Sequence, residues 1–143
     1  MSTSAHVPFH VLLVEQDESI LELFSALLCA QGYVVSTAKG GLEALARAAI
    51  APPHAVFSSL VFNDIDGFEL CRRLRALPHT ADSLIVALTG YSQQGIQEKV
   101  SGAGFDSYLL KPVSVHTLLA LVAAHMTRWI SPGHRQRPGV LAA

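Results

Sequence analysis

Charge is scarce in this chain, and the scarcity narrows its chemistry before any motif is read. Only 15% of the residues are Asp, Glu, Lys or Arg, against about 25% in a typical soluble domain. The formal net charge is -1, so no general electrostatic pull toward nucleic acid or anionic lipid is expected. No run approaches the roughly 18 uninterrupted apolar residues that a membrane span needs, and no signal peptide is recognised at the start. Cysteine is nearly missing. Cys29 and Cys71 lack CxxC spacing and fall on helical patterns, so both are expected as reduced, buried thiols in a cytoplasmic protein. The 7 histidines form no HxxxH or Cys/His cluster, and neither a zinc site nor any other metal or cofactor is expected.

What the chain has in quantity is apolar surface. Half of its residues are hydrophobic and its mean hydropathy is +0.38, which implies an apolar patch and a protein partner. A length of 143 residues suits one domain with a real core. The expected organisation is an extension over residues 1–8, a domain over 9–129 and a Pro/Gly/Arg-containing tail or linker over 130–143, its arginines too sparse for nucleic-acid binding.

Strand and helix patterns alternate through that domain. Phe9 to Val14 is a continuous apolar run of the kind buried on both faces of a sheet. Asp17 can cap a helix reaching Ala30, stopped by Gln31-Gly32. Tyr33 to Ala38 reads as a second strand, Gly41 to Ile50 as a helix closed by Pro52-Pro53, and Ala55 to Ser58 as a third strand. A helix from Gly67 to Leu77 is expected to expose Arg72, Arg73 and Arg75. Leu84 to Leu88 is a fourth strand, Gln93 to Ser101 a weak polar helix, Ser107 to Leu110 a fifth strand and Ser114 to Trp129 the last helix. Five such units imply an α/β fold with a parallel sheet wrapped on both faces, best matched by the flavodoxin-like strand order 2-1-3-4-5. Its functional crevice lies beyond the carboxyl ends of the strands. Glu15 and Gln16, Ser59, Thr89 and Lys111 should therefore meet there.

Those residues carry a resemblance. Glu15-Gln16-Asp17 after the first strand, Ser59 at the end of the third, Leu88-Thr89-Gly90 after the fourth and Leu110-Lys111-Pro112 after the fifth are similar to the signature of bacterial response-regulator receiver domains. Asp66-Gly67-Phe68-Glu69-Leu70 and the run Gly104 to Val113 strengthen the likeness, which spans about residues 9 to 128. The family implies phosphotransfer from a histidine kinase to an Asp at the third strand, with Mg²⁺ held by that Asp and an acidic pair. Here Gln16 and Ser59 stand where two of those carboxylates belong. Glu15 and Lys111 alone sum to zero charge, so the attraction for a hard divalent cation is largely gone. Asp17 can partly restore the charge, or cap the first helix.

The resemblance therefore implies a degenerate, aspartate-less receiver: a two-component signalling module that works through protein contacts, without phosphorylation and without enzymatic turnover. Ser59 lacks any base that the spacing places nearby, and a hydroxyl needs one to act as a nucleophile. The alternatives are a metal-assisted acceptor using Asp17, Asp64 or Ser59, and a small-ligand sensor in the vacated crevice. Lys111 pairs with Glu15 or bonds Ser59, or is a surface lysine; Tyr108 occupies the family's switch-aromatic position, either mobile or fixed. In the family the face made by helix four, strand five and helix five binds a kinase, an output protein or a second copy. On helix five, Val115, Leu118, Leu119 and Val122 can pack inward, which leaves Leu121, His125 and Met126 toward solvent as the expected contact surface.

Overall fold

A computed structural model describes residues 8–90, 95–130 and 141–142. Five βα units follow one another: β1 (His10–Val14), α1 (Glu18–Ala30), β2 (Val34–Ala38), α2 (Gly41–Ile50), β3 (Ala55–Ser59), α3 (Gly67–Ala76), β4 (Leu84–Thr89), α4 (Ile96–Ala103), β5 (Ser107–Leu110) and α5 (Val115–Ile130). A short strand, β6 (Leu141–Ala142), comes last. All strand pairs are parallel, in the order β2-β1-β3-β4-β5-β6. The five-stranded flavodoxin-like order is the one expected. Two residues of the expected tail add to it by pairing Leu141 and Ala142 with Ser107 and Tyr108, where β5 would otherwise end the sheet. The expected helical start at Gln93 and the remainder of the tail lie outside the described residues.

The central strands carry no Asp, Glu, Lys or Arg and are mostly apolar because both of their faces are covered. β1, β3 and β4 are buried along their whole length. On one face Leu21, Phe24 and Leu28 of α1 and Leu118 and Val122 of α5 pack against Val11, Leu13, Phe57 and Val86. On the other, α2, α3 and α4 bring Ala44, Leu70, Leu74 and Val100 onto Leu12, Val14, Val56 and Ile85. Each large side chain so enclosed contributes about 1.5–3 kcal/mol relative to exposure.

Aspartates fix where three of the helices begin. The Asp17 carboxylate accepts from Ser19 N–H and Ile20 N–H at the start of α1, and Asp66 accepts from Glu69 N–H at the start of α3. Asp64, from the β3–α3 loop, reaches across to accept from Gly41 N–H and Leu42 N–H at 3.0 Å each, capping α2. Each carboxylate satisfies helix N–H groups that would otherwise lack partners. Gly67 allows α3 to meet β3: a Cβ there would lie 2.8 Å from Leu60 Cα and closer still to the Ser59 carbonyl oxygen.

Three expectations of exposure are corrected. Arg75 does not face water: its side chain is 11% exposed and pairs with Asp106 at 2.7 Å. It also donates to the carbonyls of Gly104, Ala81 and Ser83, tying α3 to the loops flanking β4 and β5. Cys29 is exposed, because Leu28 beside it takes the inward position on α1, whereas Cys71 is buried as expected. His125 is buried too, at 5% exposure. Leu118, Val122 and His125 follow one another at helical spacing along the inner side of α5, so the imidazole comes to rest against the Phe9 ring. Leu121 and Met126 flank that stripe and pack partly buried on the same core.

Candidate functional site

The crevice at the carboxyl ends of β1, β3, β4 and β5 brings together the residues expected from their spacing. Glu15, Gln16, Ser59, Thr89, Gly90 and Lys111, with Leu60, Val61 and Leu88, line a hollow of about 430 Å³. Each side chain sits there because its strand has just ended. Ser59 is the last residue of β3 and Thr89 the last of β4, while Lys111 follows β5 with its N–H bonded to the Thr89 carbonyl at 2.8 Å.

Glu15 is the centre of this arrangement. Its Oε1 accepts from the Ser59 hydroxyl in a short hydrogen bond and from Lys111 Nζ at 2.8 Å. Its Oε2 accepts from Asp17 N–H at 2.9 Å. Burial pushes this carboxyl up, but the bonds from Lys111, Ser59 and Asp17 and the charge of Lys111 outweigh it, holding Glu15 below the ordinary glutamate value. The carboxylate is ionised at neutral pH and its charge is matched by one ammonium.

That donor set does not fit a hard divalent cation. Mg²⁺ requires oxygen ligands in a near-ideal octahedron and usually one or two uncommitted carboxylates. Among the described residues Glu15 is the single acidic one lining the crevice, and Lys111 and Ser59 both bond its Oε1. Gln16 is exposed and contributes only a neutral amide. Asp17 and Asp64, the proposed substitutes, are engaged at helix N-termini. Among the described residues no group of three or more His, Cys, Asp or Glu side chains could hold a metal ion.

Sequence reasoning found no base beside Ser59; the structure supplies Glu15 as its hydrogen-bond acceptor. The signal was present in the topology, since β1 and β3 are neighbours and their ends must meet. As a base Glu15 is poor, because every partner that holds it also lowers its proton affinity. Thr89 is buried with its residue on the crevice wall. Tyr108 is half-buried and packs against the core on the α4 side. His125 is buried in the core formed by α1 and α5 and so drops out of the expected contact surface, while Leu121 and Met126 are partly buried on that same core.

Comparison with known proteins agrees with the architecture. The sequence profile of the response regulator receiver domain matches residues 11–123. The DNA-binding dual master transcriptional regulator RpaA of Synechocystis sp. is 37% identical over 120 residues, covering 82% of this chain and 49% of that protein. Response regulator MprA of a Mycobacterium species is 37% identical over 125 residues, covering 85% and 52%. The chain thus spans about half the length of these curated relatives. A response regulator from Chloroflexus aurantiacus, solved at 1.86 Å, superposes with a TM-score of 0.78 at 30% identity, covering 85% of this chain and all of that one.

Proposed function

The chain belongs to the response regulator receiver family, and from that membership we propose a receiver that signals through protein contacts alone, without accepting a phosphoryl group and without catalytic turnover. One observation carries the reading: Ser59 ends β3 where the family places its acceptor aspartate, and its hydroxyl is bonded to Glu15, whose charge Lys111 already neutralises. A pocket of zero net charge has little hold on Mg²⁺, and a depressed carboxylate is a weak activator of a serine. Phosphate on Ser59 would moreover be a stable ester, without the self-limiting hydrolysis of an acyl phosphate.

The partner is a signalling kinase, an output protein or a second copy of the chain. DNA binding is named for the RpaA relative, a longer protein of which the match covers 49%, and we assign none to the residues described here. No helix among the described residues is long and apolar enough to cross a membrane, and we place the domain in the cytoplasm with its signalling partners. The test is incubation with acetyl phosphate and Mg²⁺ followed by intact-mass measurement. An unmodified chain is expected; a stoichiometric phosphoryl adduct would overturn the proposal, and mapping it to Ser59, Asp17 or Asp64 would establish the substitute-acceptor reading instead.

A further inference from the structure

With His125 turned inward and Leu121 and Met126 half-covered, the apolar surface expected of this composition lies elsewhere. Among the described residues, four exposed large hydrophobics, Leu23, Val34, Leu42 and Ile50, lie on α1, β2 and α2 at the β2 end of the sheet, while Val61, Leu77 and Leu110 lie elsewhere. Val34 of β2 is 47% exposed, Leu23 of α1 55% and Leu42 of α2 52%, and α1 and α2 are the helices that pack against β2.

β2 ends the strand order on that side. Val34 N–H donates to the Phe9 carbonyl, and the Ala38 carbonyl accepts from Glu15 N–H. Residues 34, 36 and 38 therefore turn their backbone groups toward β1. By the alternation of a strand, Val35 and Thr37 turn theirs to the outer edge. Edges of this kind are ordinarily protected by charge, proline or a bulge. The segment Val34-Val35-Ser36-Thr37-Ala38 has no charge and no proline, and it is regularly paired to β1 at every position.

We propose that this edge binds the same edge of a second copy, antiparallel, about a two-fold axis at Ser36. The sequence maps onto itself in that register. Val35 lies opposite Thr37 of the other copy, so the two outward-facing residues of each strand exchange both of their hydrogen bonds, four in all by the antiparallel pattern. Val34 meets Ala38, Tyr33 meets Lys39, and Gly32 meets Gly40, so no like charges face each other. The two Lys39 residues are held roughly 20 Å apart by the strand rise. A hydroxyl at the axis remains committed within its own subunit, since Ser36 Oγ lies 2.7 Å from His10 Nε2. Pairing of one short strand buries less than a standard interface, so the dimer is weak, on the order of micromolar, with Leu23 and Leu42 adding apolar contact on either face.

The experiment uses the full chain. Sedimentation equilibrium across the micromolar range should show a reversible dimer, and the Val35 and Thr37 amides should gain hydrogen-exchange protection as concentration rises. Thr37→Pro removes an outward N–H without touching the β1 ladder, and should weaken association at least tenfold while the far-ultraviolet circular dichroism is retained. If that variant misfolds, Leu23→Glu, at an exposed position, should weaken association in its place. A chain that stays monomeric throughout, a dimer undiminished by these substitutions, or one abolished instead by Leu110→Glu on β5 would overturn the proposal.

Discussion

Glu15 and Lys111, 96 positions apart in sequence, are joined at 2.8 Å across the mouth of the crevice. The pair connects the end of β1 to the residue after β5, and Ser59 completes it from between. Lys111→Met should cost about 1 kcal/mol at neutral pH, less than the roughly 1.5–3 kcal/mol of a hydrogen bond to a charged group, because the Lys111 side chain is 32% exposed and water screens it. In the native chain Glu15 is held low, so its contribution is present above its unfolded value of 4.5 and is lost as pH falls toward the folded one. The substitution removes the strongest lowering partner, so the acid-unfolding midpoint should move to higher pH. Denaturant melts at a series of pH values measure both effects.

Restoring the charge should restore the cation. Gln16→Asp together with Ser59→Asp changes the crevice from neutral to a net charge of about -2, the balance a divalent ion can offset. Calorimetry should detect Mg²⁺ binding in the double variant and none in the parent chain. Silence in both would mean that loop geometry, rather than charge, excludes the metal.

Acid should loosen the opposite end of the molecule through His125. Burial is the main cause, with the nearby positive charges of Arg128, His54 and Arg75 acting in the same direction, and together they bring this imidazole down to about 4. The folded state therefore binds its proton less readily than the unfolded chain, so stability falls as pH drops from about 6.5 toward 4. The full loss is on the order of 3 kcal/mol at 1.36 kcal/mol for each pH unit of displacement. His10, also lowered, mainly by burial, adds to it. His125→Leu should flatten this part of the stability profile, read by thermal melts between these pH limits.

Breaking the Arg75–Asp106 pair should be more damaging than breaking Glu15–Lys111. Asp106 is 3% exposed at its side chain and its Oδ2 also accepts from Ile85 N–H at 2.9 Å. Asp106→Ala leaves a guanidinium largely enclosed without its counter-charge, a loss of about 3–5 kcal/mol. Urea unfolding gives the value directly; a change below about 1 kcal/mol, the size seen for surface pairs, would show that water reaches the arginine.

The fold was legible because its signals are local and repeated. Apolar runs at β1, β3 and β4 and the stops at Gly32, Pro52 and Pro78 delimit the units almost residue by residue. The crevice was legible because parallel topology forces the residues after β1, β3, β4 and β5 to one end. Depth along a helix was harder. Arg75 looked solvated by residue type and His125 by its assigned phase on the last helix, yet one is drawn in by backbone carbonyls and the other lies on the inner row beneath Phe9. Cys29 looked apolar enough to bury, and lies one position beyond the inward row. The pairing of Leu141–Ala142 with β5 joins segments that share no periodic pattern, so nothing local announced it.

The aspartates around the crevice are fully employed as clamps on the first turns of α1, α2 and α3. On the proposed reading, redirecting one of them toward phosphoryl chemistry would fray a helix. An acid at the end of β3 would have to be placed at position 59 itself, and no single-base change converts a serine codon into an aspartate codon. Architecture and genetic code together set two nucleotide changes between this crevice and a carboxylate at that position.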